Sequence, residues 1–259
     1  MSKPNGFVFY RGASMLDGAP IIGVVTGTAK ASANEKTGSL LQSWILREDE
    51  NPTASIHSGA DSSVCGDCPL RGIIQASSGN GWETSNRMRA CYVNVHQAPR
   101  SVWASYHRGN YPAFDPTAHN GLVRGRMLRL GSYGEPTAVP LPVWSALARL
   151  SAGRTGYTHQ WRQSRFWRFR RLVMASCETV ADVALAQSKG WRTFRTGRAV
   201  EAPVKGEFRC PASAEAGKRL TCEQCGACNG ADRNASRVSV FIAVHGGPAT
   251  KHSYERGLG

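Results

Sequence analysis

The sequence predicts an α/β fold: a partial or elaborated parallel β/α barrel with an N-terminal antiparallel β element and cysteine-rich metal-binding insertions. Three observations carry this. The first ~60 residues hold short apolar runs separated by turn residues. From Arg126 onward apolar strands alternate with amphipathic helices, the pattern of parallel pairing through right-handed crossovers. Seven of the eight cysteines fall into two close groups between these elements.

In chain order, residues 1–56 form the β element. Phe7 to Tyr10, Ile21 to Val25 and Leu40 to Leu46 are strand-like, with Asn34 to Gly38 as a turn. Residues 57–125 read as an irregular cysteine-containing region that includes an exposed loop at Ser77-Ser78-Gly79-Asn80-Gly81. A helix follows from Ser101 to near Gly109, with Val102, Trp103 and Tyr106 on one face, and Pro112 to Gly121 reads as a connecting loop. Residues 126–259 form the half-barrel with a four-cysteine knuckle. Its strands are Met127–Gly131, Thr155–His159, Leu172–Ser176, Trp191–Arg195 and Val238–Val244, and its helices are Leu141–Leu150 and Thr179–Ser188. Fewer than eight β-α units are countable, which favours an incomplete barrel, with an open doubly wound sheet as the alternative.

Composition narrows the function classes. A hydrophobic content of 41% with 19% charged residues is that of a globular chain. Thirty-two Lys+Arg against 18 Asp+Glu give a net charge of +14, the electrostatic footprint of a protein that meets phosphate backbones. No apolar run is long enough to span a membrane and no secretory leader is evident, so the expected location is the cytoplasm of a bacterial host cell. In that reducing compartment clustered cysteines are metal ligands rather than disulfides. The absence of GxxxxGK[ST], GxSxG and HExxH disfavours nucleotide hydrolysis, serine hydrolase and zincin chemistry.

Cys210-x11-Cys222-x2-Cys225-x2-Cys228 has the spacing of a closed four-thiolate site for zinc or an iron–sulfur cluster. Gly217, Gly226 and Gly230 supply tight backbone, and Lys218, Arg219 and Arg233 offset thiolate charge. His245 is an alternative ligand or a satisfied histidine. Cys65, Cys68 and Cys91 form a second group without an evident fourth ligand. Either His57, His96, His159 or Cys177 completes it, or a cluster with an open iron binds a small molecule there. A structural zinc clip is the plainer reading, and Cys177 by default is a buried thiol. The residues just past the strand ends add Tyr133, Glu135, His159 and Glu178. Tyr133, Glu135 and His159 are candidates for acid/base or substrate-binding work, and Glu178 reads first as a helix N-terminal charge.

Between Glu135 and Glu178 no acid occurs, and this window contains Trp161 to Arg171, WRQSRFWRFRR. Arg162, Arg165, Arg168, Arg170 and Arg171 with Trp161 and Trp167 suit phosphate contact and base stacking. An amphipathic helix with its aromatics turned inward has the same signature.

The segments CGDCPLRG, ACYVNV, RLGSYGEPTAVP, TGYTHQWR, GWRTFR and CPASAEAGKRLTCEQCGAC together resemble an uncharacterised family of cysteine-rich proteins carried by phages and mobile elements. More distantly, the CxxC, the later Cys-Tyr and the strand ending in Gly-x-Tyr-Gly-Glu are similar to phage three-cysteine proteins grouped with the radical-SAM barrels. That likeness implies a [4Fe–4S] cluster on Cys65, Cys68 and Cys91 and S-adenosylmethionine at the barrel mouth. The third cysteine stands 23 residues past the second, a departure from the C-x3-C-x2-C loop of those enzymes. The set Cys222/Cys225/Cys228/His245 is loosely similar to the zinc site of tRNA-guanine transglycosylase-like enzymes that modify DNA, although their paired aspartates have no counterpart here. The expected function is a phage or mobile-element metalloenzyme acting on DNA or RNA. The alternatives are a non-catalytic zinc protein that binds nucleic acid, a base-exchange enzyme, and a protein-binding inhibitor of a host enzyme.

Overall fold

The computed structural model describes residues 4–32, 34–75, 85–87, 89–217, 220–231 and 238–257. The loop expected at Ser77 to Gly81 and the cations Lys218, Arg219 and Arg233 lie outside the described residues.

Strands β1 (Gly6–Ala13), β2 (Pro20–Thr26) and β3 (Leu41–Arg47) form an antiparallel meander. The chain then passes through helices α1 (Pro52–Ser58) and α2 (Ser62–Cys65), a 3-10 turn at Pro69–Arg71, and a small hairpin, β4 (Ile73–Gln75) and β5 (Ser85–Arg87). Helices α3 (Ala98–His107) and α4 (Pro116–Val123) follow. The remainder is β6 (Met127–Tyr133), α5 (Leu141–Leu150), β7 (Gly153–Thr158), β8 (Met174–Cys177), α6 (Val180–Ser188), β9 (Thr193–Gly197), β10 (Glu207–Arg209), α7 (Cys222–Cys225), β11 (Ser239–Ala243) and α8 (Pro248–Gly257).

Nine of these strands make one mixed, mostly parallel sheet in the order β1-β2-β3-β6-β7-β8-β9-β11-β10. It is open among the described residues, with β1 and β10 at its edges. The N-terminal meander belongs to this sheet, because β3 pairs in parallel with β6. Ser43 stitches the two across a register shift: its Oγ donates to the Arg129 carbonyl at 2.7 Å and accepts from the Gly131 N–H at 2.9 Å. From β3 to β9 strand order follows chain order without reversal, so the C-terminal ends of consecutive strands lie side by side along one rim.

Both faces of the parallel strands are covered, as continuous apolar strands require. On one face Val173, Ala175 and Cys177 join Val183 and Ala186 of α6, Trp144 and Leu147 of α5, and the meander in the main core. On the other, Met174, Phe194, Val240 and Ile242 pack with Cys210, Tyr157 and Cys228. Arg195, fully buried, bridges the β9 and β10 flanks of β11: Nη2 meets Glu207 at 2.9 Å and Nη1 meets Glu201 at 2.6 Å.

Helices α1, α4 and α8 are among those that stand where no helix was expected. Pro116 opens α4 within the stretch read as a loop, with Asp115 as its cap, accepting from Thr117 N at 2.8 Å. Asn51 and Pro52 start α1 in the same way. Proline fits the first turn of a helix, where no intrahelical N–H is needed, so a proline after Asp or Asn marks a helix start here rather than a break. The C-terminal α8 had no apolar periodicity to announce it. No helix among the described residues is long and apolar enough to cross a membrane.

Candidate active site

A cavity of about 340 Å³ lies at the C-terminal rim of the parallel strands. β6 contributes Gly131, Ser132 and Tyr133, and Glu135 follows it. Tyr157 and His159 come from β7 and its end, Ser176 from β8, Phe194 and Thr196 from β9, and Val244 and His245 from just past β11. Cys65, Cys68, Cys91 and Cys222 all line it, so the structure brings members of both cysteine groups to one chamber.

Glu135 organises the first group. The chain turns sharply after β6 at Gly134, whose φ of +86° suits glycine, and a Cβ there would meet both Cβ and the carbonyl oxygen of Ile45 at 2.7 Å. This places Glu135 N–H against the Val64 carbonyl at 2.6 Å, tying the strand end to the helix that carries Cys65. Among the described residues the buried Glu135 carboxylate has no Lys or Arg partner, and it is satisfied by hydrogen bonds instead. It accepts from Thr158 Oγ1 at 2.6 Å and His159 N at 2.8 Å, and meets His159 Nδ1 at 3.2 Å. Across the ring, His159 Nε2 lies 2.8 Å from Glu178 Oε1 and 3.9 Å from Cys68 Sγ. Burial opposes charging of the imidazole. Cys68, Glu178 and Glu135 outweigh it, and the ring is held well above its ordinary pKa.

Cys65 and Cys91 lie within electrostatic reach of one another and of Cys68. Burial pushes both thiols up, Cys65 with further help from Asp61, and Arg89 pulls in the other direction. Arg89 and Arg71 converge on Asp61, which is fully buried, with Arg71 Nη2 at 2.7 Å and Arg89 Nη1 at 3.6 Å. This ion cluster fixes the loop around Cys65 and Cys68. Tyr133 is buried beside the same group, and its hydroxyl has no hydrogen-bond partner among the described residues. Of the four fourth-ligand candidates, His159 alone faces the thiols. His57 and His96 are exposed, and Cys177 is sealed in the core with its thiol toward the Ala175 carbonyl.

The second group folds onto the rim from outside. Thr221 and Gln224 form a reciprocal capping box on the one-turn α7, and Gly226 closes it with φ +60°. Cys222 N–H donates to the Lys36 carbonyl at 2.8 Å. Glu223 accepts from Ser39 N at 3.0 Å and Ser39 Oγ at 2.7 Å, and Gly156 N–H donates to the Cys228 carbonyl at 3.1 Å. Cys210 follows β10 directly, its N–H donating to Phe241 O at 2.7 Å. Cys228 lies within electrostatic reach of Cys210, Cys222 and Cys225. Burial pushes its thiol up to about 12, against a hydrogen bond from the Tyr157 hydroxyl. Cys210 therefore accompanies the knuckle. His245 instead bonds Lys36 Nζ through Nε2 at 3.2 Å, which gives the base-exchange ligand set Cys222/Cys225/Cys228/His245 no support.

Three thiolates and an imidazole, or four thiolates, make donor sets for zinc or an iron–sulfur cluster. In a tetrahedral site a sulfur and a nitrogen ligand stand ~3.6 Å apart, close to the Cys68–His159 separation. His159 also has the usual outer partner of a metal-bound histidine, a carboxylate on its other nitrogen. Among the described residues no three Cys, His, Asp or Glu side chains converge as a closed coordination shell. The two groups are neighbourhoods of donors around the cavity.

The arginine segment takes the inward-aromatic arrangement as two 3-10 turns, Gln160–Arg162 and Ser164–Arg171. Phe166, Phe169 and Leu172 recur every third residue and are buried, as the three-residue turn dictates. Trp161, expected to offer a stacking face, is 1% exposed and donates Nε1–H to Ser176 O at 2.8 Å; this corrects the sequence reading. Trp167 is exposed, with the half-buried Arg170 stacked at 3.5 Å from its ring centre. Arg162, Arg165, Arg168 and Arg171 are exposed, Arg162 pairing with Asp182. Sequence reasoning singled out neither Lys36 nor Arg129, which line the cavity, and it gave Glu178 a capping role.

No protein-family model, curated protein or solved structure matches the chain.

Gly134→Ala is expected to destabilise the fold by about 2–4 kcal/mol, since it combines backbone strain with overlap against Ile45. Urea denaturation reads this directly, and an unchanged midpoint contradicts the account of the turn.

Proposed function

We propose that the chain is a metalloenzyme that acts on nucleic acid, with its reaction centre in the rim cavity. The metal is held by Cys65, Cys68 and Cys91 with His159 at the fourth side, and the four cysteines Cys210, Cys222, Cys225 and Cys228 hold a second, structural metal. The observation that carries this reading is His159, set between Glu135 and Glu178 and facing Cys68 inside the chamber. A bound zinc would supply Lewis acidity there, and an iron–sulfur cluster would supply electron transfer. The chain's own groups do the rest. Glu135 holds the imidazole in place through its Nδ1 side, and Glu178 meets it on the Nε2 side. Tyr133 offers a buried hydroxyl without a hydrogen-bond partner among the described residues.

Five parallel strands, β6 to β9 and β11, reach one cavity. Convergence of five strand ends on one cavity supports a sheet that curls toward a partial barrel.

Nucleic acid is favoured as substrate by the +14 charge and by the exposed Arg162, Arg165, Arg168 and Arg171. Neutralising Arg165, Arg168 and Arg171 together to Gln should weaken binding to single-stranded DNA and RNA. The salt dependence (slope of log K against log salt) should flatten by about 1 for each phosphate that is no longer neutralised. Unchanged affinity and slope remove this surface from the account.

Catalysis is tested by mass spectrometry of nucleosides from cells expressing the wild-type chain or Glu178→Gln. An altered nucleoside in DNA or RNA, present with the wild type and absent with the variant, is the expected result. Identical nucleoside pools together with salt-sensitive binding would leave a non-catalytic nucleic-acid-binding protein.

A further inference from the structure

The two cysteine groups do not fill the cavity between them. That part is lined by Lys36, Tyr92, Arg129, Tyr157, Phe194 and His245. Arg129 lies in mid-β6 with its side chain in the cavity wall and only 9% exposed. Its Nη2 donates to the Tyr92 hydroxyl at 2.6 Å, while Nε is buried with no hydrogen-bond partner among the described residues. Lys36, half-buried, reaches the same region, and its ammonium donates to His245 Nε2 at 3.2 Å. Neither cation forms an ion pair with a carboxylate among the described residues. Two cations within electrostatic reach of each other and largely out of water cost several kcal/mol unless an anion joins them.

The thiolates are the first candidates for that anion. A cation that serves a thiolate cage points its N–H groups at sulfur, yet neither side chain hydrogen-bonds a cysteine sulfur here. Arg129 turns to Tyr92 and Lys36 to His245. The space they face is walled by aromatic rings. Tyr92 and His245 are tilted against each other at 4.9 Å between centres, and Tyr157 and Phe194 at 4.2 Å. A chamber of about 340 Å³ with two fixed cations and flat apolar walls has the size and chemistry for one nucleotide.

We infer that the cavity contains a phosphate-binding subsite, formed by the Arg129 guanidinium and Lys36 Nζ, that takes a phosphate ester of nucleotide size. The phosphate belongs either to a free nucleotide or to a nucleotide of a bound strand. This deepens the reading of the same cavity as a reaction centre on nucleic acid, but it requires no metal.

The test is equilibrium binding of AMP to the full-length protein, with inorganic phosphate as competitor and adenosine as the uncharged control. Metal content is measured on the same samples. Wild type should bind AMP, release it to phosphate, and bind adenosine at least about tenfold more weakly. Arg129→Gln should weaken AMP binding about tenfold or more, Lys36→Met severalfold, and Arg149→Gln, exposed on α5, less than twofold. Lys36→Met, at a turn position, decides the matter if Arg129→Gln fails to fold. Displacement of AMP by a short single strand assigns the phosphate to nucleic acid, and no displacement assigns it to a free nucleotide. The proposal is overturned by a wild type that binds neither AMP nor phosphate, or by equal affinities in Lys36→Met and wild type. It is also overturned if Arg129→Gln loses metal while keeping AMP affinity, which would make Arg129 a counter-ion of the thiolates. AMP binding by protein that carries no metal would sink the metal reading and leave the subsite intact.

Discussion

The Glu135 carboxylate is the constraint on which the site depends. A buried carboxylate with no Lys or Arg partner among the described residues is costly unless donors surround it. Here the donors are Thr158 and His159 at the end of β7, while the Glu135 N–H holds the Val64 carbonyl at the base of the Cys65 loop. One residue thus joins the ends of two neighbouring parallel strands to the first cysteine group. It also sets the orientation of His159, whose far nitrogen meets Glu178 and faces Cys68. Moving Glu135 would separate the thiols from the imidazole and the second carboxylate together.

That arrangement follows from strand order. Because β6, β7, β8 and β9 are neighbours in both sequence and space, residues just past consecutive strands become a contiguous rim. The Cys210–Cys228 knuckle docks on this rim through backbone bonds to Lys36 and Gly156, and it delivers Cys222 to the chamber. Arg71 and Arg89 surround the first thiol group, with Asp61 holding them, while Lys36 and Arg129 stand beside the second. The interior of this rim therefore sets fixed cations beside clustered thiols.

Much of the frame was legible because it rests on local patterns. Leu141–Leu150 has a helical apolar stripe, the strands are compact apolar runs, and the CxxCxxC knuckle declares itself by spacing. Glu135 and His159 were found by asking which residues follow strand ends. The missed elements lack such a signal or carry one that points two ways. Proline at the first turn reads as a break, which hid α1 and α4. Trp161 sits in an arginine-rich run whose three-residue turn cannot be told from an exposed basic stretch by composition. Glu178, Lys36 and Arg129 acquire their places only through tertiary pairing. Nothing in their local sequence distinguishes them from a capping acid, a turn lysine and a strand arginine.

The central claim is that the thiolate groups around the cavity hold metal. The most direct measurement is elemental analysis with a visible absorption spectrum on protein purified without oxygen. The account predicts about two metal centres per chain, either as zinc with no visible colour or as iron with sulfide and broad absorption near 400 nm. Protein that folds, stays monodisperse and contains neither zinc nor iron would contradict it.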